Sequence, residues 1–184
     1  MVRGHSVARW TREYDAGHWD YLDGLGQLAH YSILAGYCQR LDHRSILDVG
    51  CGAGVFRAHA DHIDFERYIG IDPVDAAIER ASRLADARTT FLIGDVFLPQ
   101  LEQFEIVVCN EVLYYLPEPA RQLDRIRDLV TPGGHVLTSH IRHPGDVGLY
   151  RLIAERFELI DAVQLRNQAA GAHRRRVAAY RRAV

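Results

Sequence analysis

At 184 residues, with 48% hydrophobic and 25% charged residues, the chain is long enough to fill a core and too apolar to remain disordered. A net charge of -2 argues against binding that depends on nucleic-acid phosphates, and three cysteines, Cys38, Cys51 and Cys109, match neither a disulfide framework nor a zinc spacing. The N-terminal stretch has no signal-peptide core, and no later run approaches the roughly 20 apolar residues that span a bilayer, so a cytoplasmic protein with no membrane partner is expected.

Residues 19–41 contain no proline, and Leu22, Leu25, Leu28, Ala29, Ser32 and Ile33 recur at helical spacing, which predicts one or two helices. Beyond residue 42, short apolar runs alternate with amphipathic stretches, the pattern of a parallel sheet wound as βαβ units and covered on both faces. Strands are predicted at Ser45–Val49, 68–71, Thr89–Ile93, 106–109 and 135–141, and helices at 55–62, 75–85, 118–129 and 147–155. Pro132, Gly133 and Gly134 read as a turn into the fifth strand. Phe157–Arg166 and 174–181 are separated by NQAAGAH, too short for a helical crossover, so they are expected to pair antiparallel. The fold class is therefore α/β, doubly wound and mostly parallel with a C-terminal antiparallel hairpin. A single domain is expected, with a helical lid segment at 1–42 and a core at 43–184.

SILDVGCGAG places Gly50, Gly52 and Gly54 directly after the first strand, where residues without side chains let the backbone turn sharply and press against a ligand. The order is GxGxG, without the spacing of the dinucleotide fingerprint, so phosphate binding is not required. Asp72 in YIGID stands at the end of the second strand, suited to accept both hydroxyls of a ribose, and Asp95 in FLIGDVF stands just past the third, suited to a purine amino group. Alone, each aspartate reads equally well as a cap or turn residue; together the three loops converge on one adenosine.

Taken in order, ILDVGCGAG, YIGIDP, IGDVF, VVCNEVLYYL and LVTPGGHVLTSH resemble the motifs of the class I S-adenosylmethionine-dependent methyltransferase family, in its small bacterial, small-molecule form. The resemblance implies a Rossmann-like sheet of seven strands and S-adenosylmethionine as cofactor. It further implies that Asp48, Gly50, Cys51, Gly52 and Gly54 shape the loop around the methionine moiety, and that Asp72 with Pro73 holds the ribose. Asp95 and Val96 would read the adenine, and Asn110 would receive the methionine ammonium. A cationic cofactor suits these loops, which carry the acids Asp48, Asp72 and Asp95. Residues 10–41 are similar to the leading helix of small members, whereas CNEVLYYL departs from the NPPY type associated with amide and base-nitrogen acceptors.

Methyl transfer is an in-line displacement that needs no covalent enzyme intermediate, so positioning carries most of it and an acceptor hydroxyl would want a base. Candidates on the carboxyl edge of the sheet are Glu111, Tyr114 and Tyr115 after the fourth strand and His140 and His143 after the fifth. His140 is the first choice, with Glu111 and Tyr115 beside it, because a neutral imidazole is a competent base near neutral pH. Tyr14, His18 and Trp19 are expected to close over the acceptor, joined by Tyr114 and His143. Two HxxH pairs, His59 with His62 and His140 with His143, lack a third ligand, so no metal is expected. The arginines of HRRRVAAYRR read as a solvated edge strand. The expected activity is methyl transfer to an oxygen or nitrogen of a small molecule such as a metabolite, sugar or natural product, without a nucleic-acid partner, as monomer or homodimer. The rival readings are an RNA or protein methyltransferase, a nicotinamide-dependent oxidoreductase, and a cofactor-binding protein without turnover.

Overall fold

The computed structural model describes residues 6–42, 44–166, 168 and 173–182. Runs rich in β-branched and aromatic residues form β1 (Ser45–Val49), β2 (Arg67–Asp72), β3 (Thr89–Ile93), β4 (Phe104–Asn110) and β5 (Val130–Ile141), and the more polar β6 (Phe157–Arg166) and β7 (Arg174–Arg182) follow. They make one seven-stranded sheet in the order β3-β2-β1-β4-β5-β7-β6. The first five strands run parallel, and β7 lies antiparallel between β5 and β6. This is the Rossmann-like sheet that the alternating pattern and the short C-terminal connection lead one to expect. Strand order reverses between β1 and β4, which opens a crevice beyond their carboxyl ends.

Side chains alternate across the strands, so the sheet separates two cores. Ile46, Ile106, Leu137 and Val177 pack with Tyr31, Leu34 and Cys38 of α2 (Leu25–Leu41) and with Phe56 of α3 (Val55–His59). Leu47, Val107, Val136 and Ala178 pack on the other face against Leu123 and Ile126 of α5 (Pro119–Leu129) and Ile153 of α6 (Val147–Ala154). Between β2 and β3 lies α4 (Asp75–Ala81).

Three local readings change. The stripe Leu25, Leu28 and Ala29 faces solvent, and α2 instead buries Gln27, His30, Tyr31, Leu34, Ala35 and Cys38, so polar residues lie on its inner face. Pro132 to Gly134 belong to β5, where a register shift opposite Phe104 and Ile106 absorbs them; a Cβ on Gly134 would stand 2.8 Å from the Glu105 carbonyl oxygen. The third helix stops at Ala60, before His62.

An additional helix, α1 (Val7–Asp15), precedes the segment with regular spacing. Ser6 caps it by accepting from the Arg9 amide, and Arg9 pairs with Glu13 one turn on at 2.7 Å. Its Tyr14 joins Trp10, Trp19, Val74 and Ala77 in a small core separate from the two large ones. Arg80 of α4 fastens this segment, donating to the Tyr14 carbonyl at 2.6 Å and to Asp20 at 3.0 Å. Removing one fastening from a small satellite core lowers the free energy of local opening, so Arg80→Ala should speed amide exchange in 7–15 about tenfold and leave β1 unchanged. Hydrogen-exchange mass spectrometry reads both segments at once.

Candidate active site

The glycine loop is tied to the neighbouring strand. Gly50 and Cys51 both donate their amides to the Ile71 carbonyl, at 2.8 and 3.0 Å. Gly52 has φ of +54°, and a Cβ there would lie 2.6 Å from the Tyr14 hydroxyl oxygen, so a side chain would displace the residue that covers the loop. The Gly52 amide donates to Asp72 Oδ2 at 3.0 Å, and the Val74 amide donates to Asp72 Oδ1 at 2.9 Å. Asp72 therefore shapes the loop as well as lining the cavity beside it, and each oxygen retains a second lone pair. Gly94 extends the assembly by donating to the Asp72 carbonyl at 3.0 Å, and Asp95 closes the third loop by accepting from the Phe97 amide at 2.8 Å.

These loops line a cavity of about 880 Å³. Asp48, Gly50, Cys51, Gly52, Asp72, Pro73, Asp95, Val96 and Asn110 all contribute to its wall, as do Tyr14, Trp19, Glu111, Tyr114 and Tyr115. Two buried acceptor oxygens on these residues, Asp48 Oδ1 and Asn110 Oδ1, have no hydrogen-bond partner among the described residues. They stand at the ends of adjacent strands, β1 and β4. Buried acceptors of this kind are matched by a donor ligand and not by an anion. This set of acceptors thus fits the ammonium and ribose hydroxyls of S-adenosylmethionine, which donate.

Burial pushes the Asp48 carboxyl up to about 7, against the Tyr68 hydroxyl, which donates to it at 2.6 Å and pulls it down; Asp72 adds a further upward push. Burial also raises Asp72, to about 6. Between the unfolded value of 3.8 and about 7 the folded protein keeps a proton on Asp48 that the unfolded chain loses, so stability declines as pH rises through that window. A cationic ligand favours the ionised form. Its affinity should therefore climb with pH to about 7 and level off above, with protons released on binding. Calorimetry near pH 6 in two buffers of different ionisation enthalpy measures the release; identical enthalpies would show that Asp48 does not couple.

Several candidates lie elsewhere. His140 is fully buried and outside the cavity wall. Alternation along β5 turns Ser139 toward Glu111 and His140 toward α6, where its Nε2 meets the Tyr150 hydroxyl. Burial holds its imidazole below the ordinary value, and it has no path to an acceptor in this cavity. His143 is exposed and donates its amide to Asp146 at 2.6 Å, and His18 packs edge-on to Trp19 at 5.7 Å; neither lines the wall. Gly54 forms the left-handed entry to α3, behind the loop and outside the wall. Cys51 lines the cavity as a buried thiol pushed well up by burial, which leaves it unreactive. Among the described residues no group of three or more histidines, cysteines, aspartates or glutamates could hold a metal ion, and His59 instead stacks on Tyr31 at 4.8 Å.

Glu111 is held rather than poised. It sits at φ of +56°, a conformation that side-chain-bearing residues seldom adopt. Its Oε1 accepts from Arg175 Nε at 2.6 Å and Ser139 Oγ at 2.8 Å, and its Oε2 accepts from Tyr114 Oη at 2.7 Å and the Ile141 amide at 3.2 Å. These four bonds tie Glu111 to its neighbours, Tyr114 among them. Arg175 continues the network, with Nη1 on His30 Nδ1 at 2.8 Å and Nη2 on Gln27 Oε1 at 3.1 Å. Burial, and then Arg175, holds His30 down to about 3, so it is the neutral acceptor of that bond. Reading HRRRVAAYRR as solvated is corrected at Arg175, which is buried because it shares a face of β7 with Val177 and Ala179. The signal available in the sequence was the pair of polar residues Gln27 and His30, three apart and so on one face of α2 beside Tyr31.

Fold and cavity together define a Rossmann-like nucleoside-binding α/β protein. A family profile described as a methyltransferase domain matches residues 27–174. The chain belongs to this family, the class I S-adenosylmethionine-dependent methyltransferases. It is 29% identical over 142 residues to a tRNA U34 carboxymethyltransferase of Idiomarina loihiensis, covering 73% of this chain and 42% of that protein. It is 29% identical over 124 residues to a ubiquinone biosynthesis O-methyltransferase of Acinetobacter baylyi, covering 63% of this chain and 51% of that protein. The chain thus spans about half the length of these curated relatives. The crystal structure of the N-methyltransferase NodS from Bradyrhizobium japonicum, in complex with S-adenosyl-L-homocysteine, superposes with a TM-score of 0.80 at 22% identity, covering 98% of this chain and 100% of that one. Among the described residues no helix is long and apolar enough to cross a membrane.

Proposed function

We propose that the protein transfers a methyl group from S-adenosylmethionine to a small-molecule acceptor, at an oxygen or nitrogen, with residues 6–24 covering the cavity as a lid. The observation that carries this reading is one cavity walled both by Asp48, Gly50, Gly52, Asp72 and Asp95 and by the rings of Trp10, Tyr14, Trp19, Tyr21, Tyr114 and Tyr115. S-adenosylmethionine, when bound, supplies an electrophilic methyl on a sulfonium. The residues of this chain supply the rest: Asp72 orients the ribose, Asp95 and the Val96 backbone meet the adenine, and Asp48 and Asn110 face the ammonium. The aromatic half excludes water and holds the acceptor at attack distance, an effect worth about 7 to 11 kcal/mol in well-oriented systems.

One relative carries a tRNA name and another the name of a small-molecule pathway, so the acceptor class is the point to test. A cavity roofed by α1 and walled by rings favours a small molecule, and a net charge of -2 offers little for a phosphate backbone. Release of S-adenosylhomocysteine is followed by mass spectrometry against a metabolite panel and bulk tRNA. Turnover with a panel member and none with tRNA supports the proposal; salt-sensitive turnover with tRNA alone overturns it.

A further inference from the structure

Arg175 and His173 are the only basic side chains lining the cavity among the described residues, and Arg175 is 7% exposed. A guanidinium has five N–H donors. Here Nε is spent on Glu111, one Nη1 donor on His30 and one Nη2 donor on Gln27. The remaining two have no partner among the described residues. A fork held rigid on three sides, with donors left over at a cavity wall, matches an oxygen acceptor on a ligand. Glu111 already balances the charge, so the site accepts a neutral carbonyl as well as a carboxylate.

The wall beside this fork is aromatic, because the Glu111 carboxylate that holds Arg175 also holds Tyr114. Trp10 meets Tyr115 edge-on at 5.8 Å, and Tyr115 tilts against Tyr114 at 4.5 Å. Rings arranged in this way favour a planar guest, which they bury by stacking or edge contacts. We propose that Arg175 is the specificity-determining residue of the acceptor half, and that the acceptor is a planar aromatic molecule with a carboxylate or carbonyl oxygen on its edge that Arg175 holds. This inference rests on the methyltransferase reading above, since it assigns the half of the cavity that the adenosyl group leaves open.

A purely structural staple between α2, β7 and the end of β4 would hold these elements together without preferring one ligand over another. The test therefore reads ligand preference. Benzoate, benzamide and benzylamine are titrated by calorimetry into the full chain, with and without saturating S-adenosylhomocysteine. The oxygen-bearing probes should bind at least about tenfold more tightly than benzylamine to the loaded protein. Benzoate ahead of benzamide identifies a carboxylate ligand, and the reverse a neutral carbonyl. In Arg175→Met/Glu111→Gln, which removes the cation without stranding the anion, the preference should vanish while S-adenosylhomocysteine still binds. Benzylamine binding as tightly as the others, no measurable binding of benzoate or benzamide at millimolar concentration, or a preference that survives in the double variant would each overturn the proposal. Failure of the unaltered protein to bind S-adenosylhomocysteine counts instead against the methyltransferase reading, and the titrations without it keep the two outcomes separate.

Discussion

Asp72→Ala should weaken S-adenosylhomocysteine binding by about a hundredfold to ten-thousandfold, the equivalent of two charge-assisted hydrogen bonds at about 1.5 to 3 kcal/mol each. The size follows from the double duty of this carboxylate. Each oxygen already accepts one backbone amide, from Gly52 and from Val74, and in the proposed function each would offer its remaining lone pair to a ribose hydroxyl. Deletion leaves two amides unsatisfied and lets the glycine loop drift from α4, so the thermal midpoint should fall as well. Asp72→Asn separates the two effects. It keeps the side chain's shape and one acceptor oxygen, so the fold should be nearly retained while affinity stays well below that of the unaltered protein. Calorimetry showing full affinity in both variants would mean that the ribose does not sit at Asp72.

Arg175→Ala should destabilise the fold by about 3 to 5 kcal/mol, the range for removing one partner of a buried ion pair. Both side chains of the pair are largely shielded, at 8% exposure for Arg175 and 15% for Glu111. The loss would leave the Glu111 carboxylate without its countercharge, at a residue whose backbone already occupies a left-handed conformation. It would also release Gln27 and His30, so α2 and the loop after β4 should loosen together. Chemical denaturation measures the change directly. Arg175→Met/Glu111→Gln should recover most of the stability, because replacing both charges is far less harmful than stranding one. Equal losses in the single and double variants would show that shape at this position outweighs charge.

The cofactor half of the cavity was legible in the sequence for a local reason. A glycine loop after a strand, an acid at the end of the next strand and another after the third are each set by their own short segment, and parallel winding brings those ends to one edge. Asp48, Asp72, Asp95 and Asn110 accordingly all reach the cavity wall. The acceptor half was less legible because it depends on which face of an element looks inward. His140 ends a strand on the correct edge, yet a one-residue alternation sends it toward Tyr150.

The sequence alone determined the alternation of strands and helices beyond residue 42, the antiparallel C-terminal pair and the acids that reach the cavity wall, because hydrophobic periodicity and turn chemistry act over a few neighbouring residues. Only the tertiary structure decided that Arg175, His30, Gln27 and Glu111 form one buried network, since it joins positions 145 and 148 residues apart in the chain through the register of β7 and the rotation of α2. Charges at such separations look like ordinary surface residues until packing removes them from water and leaves each dependent on the others.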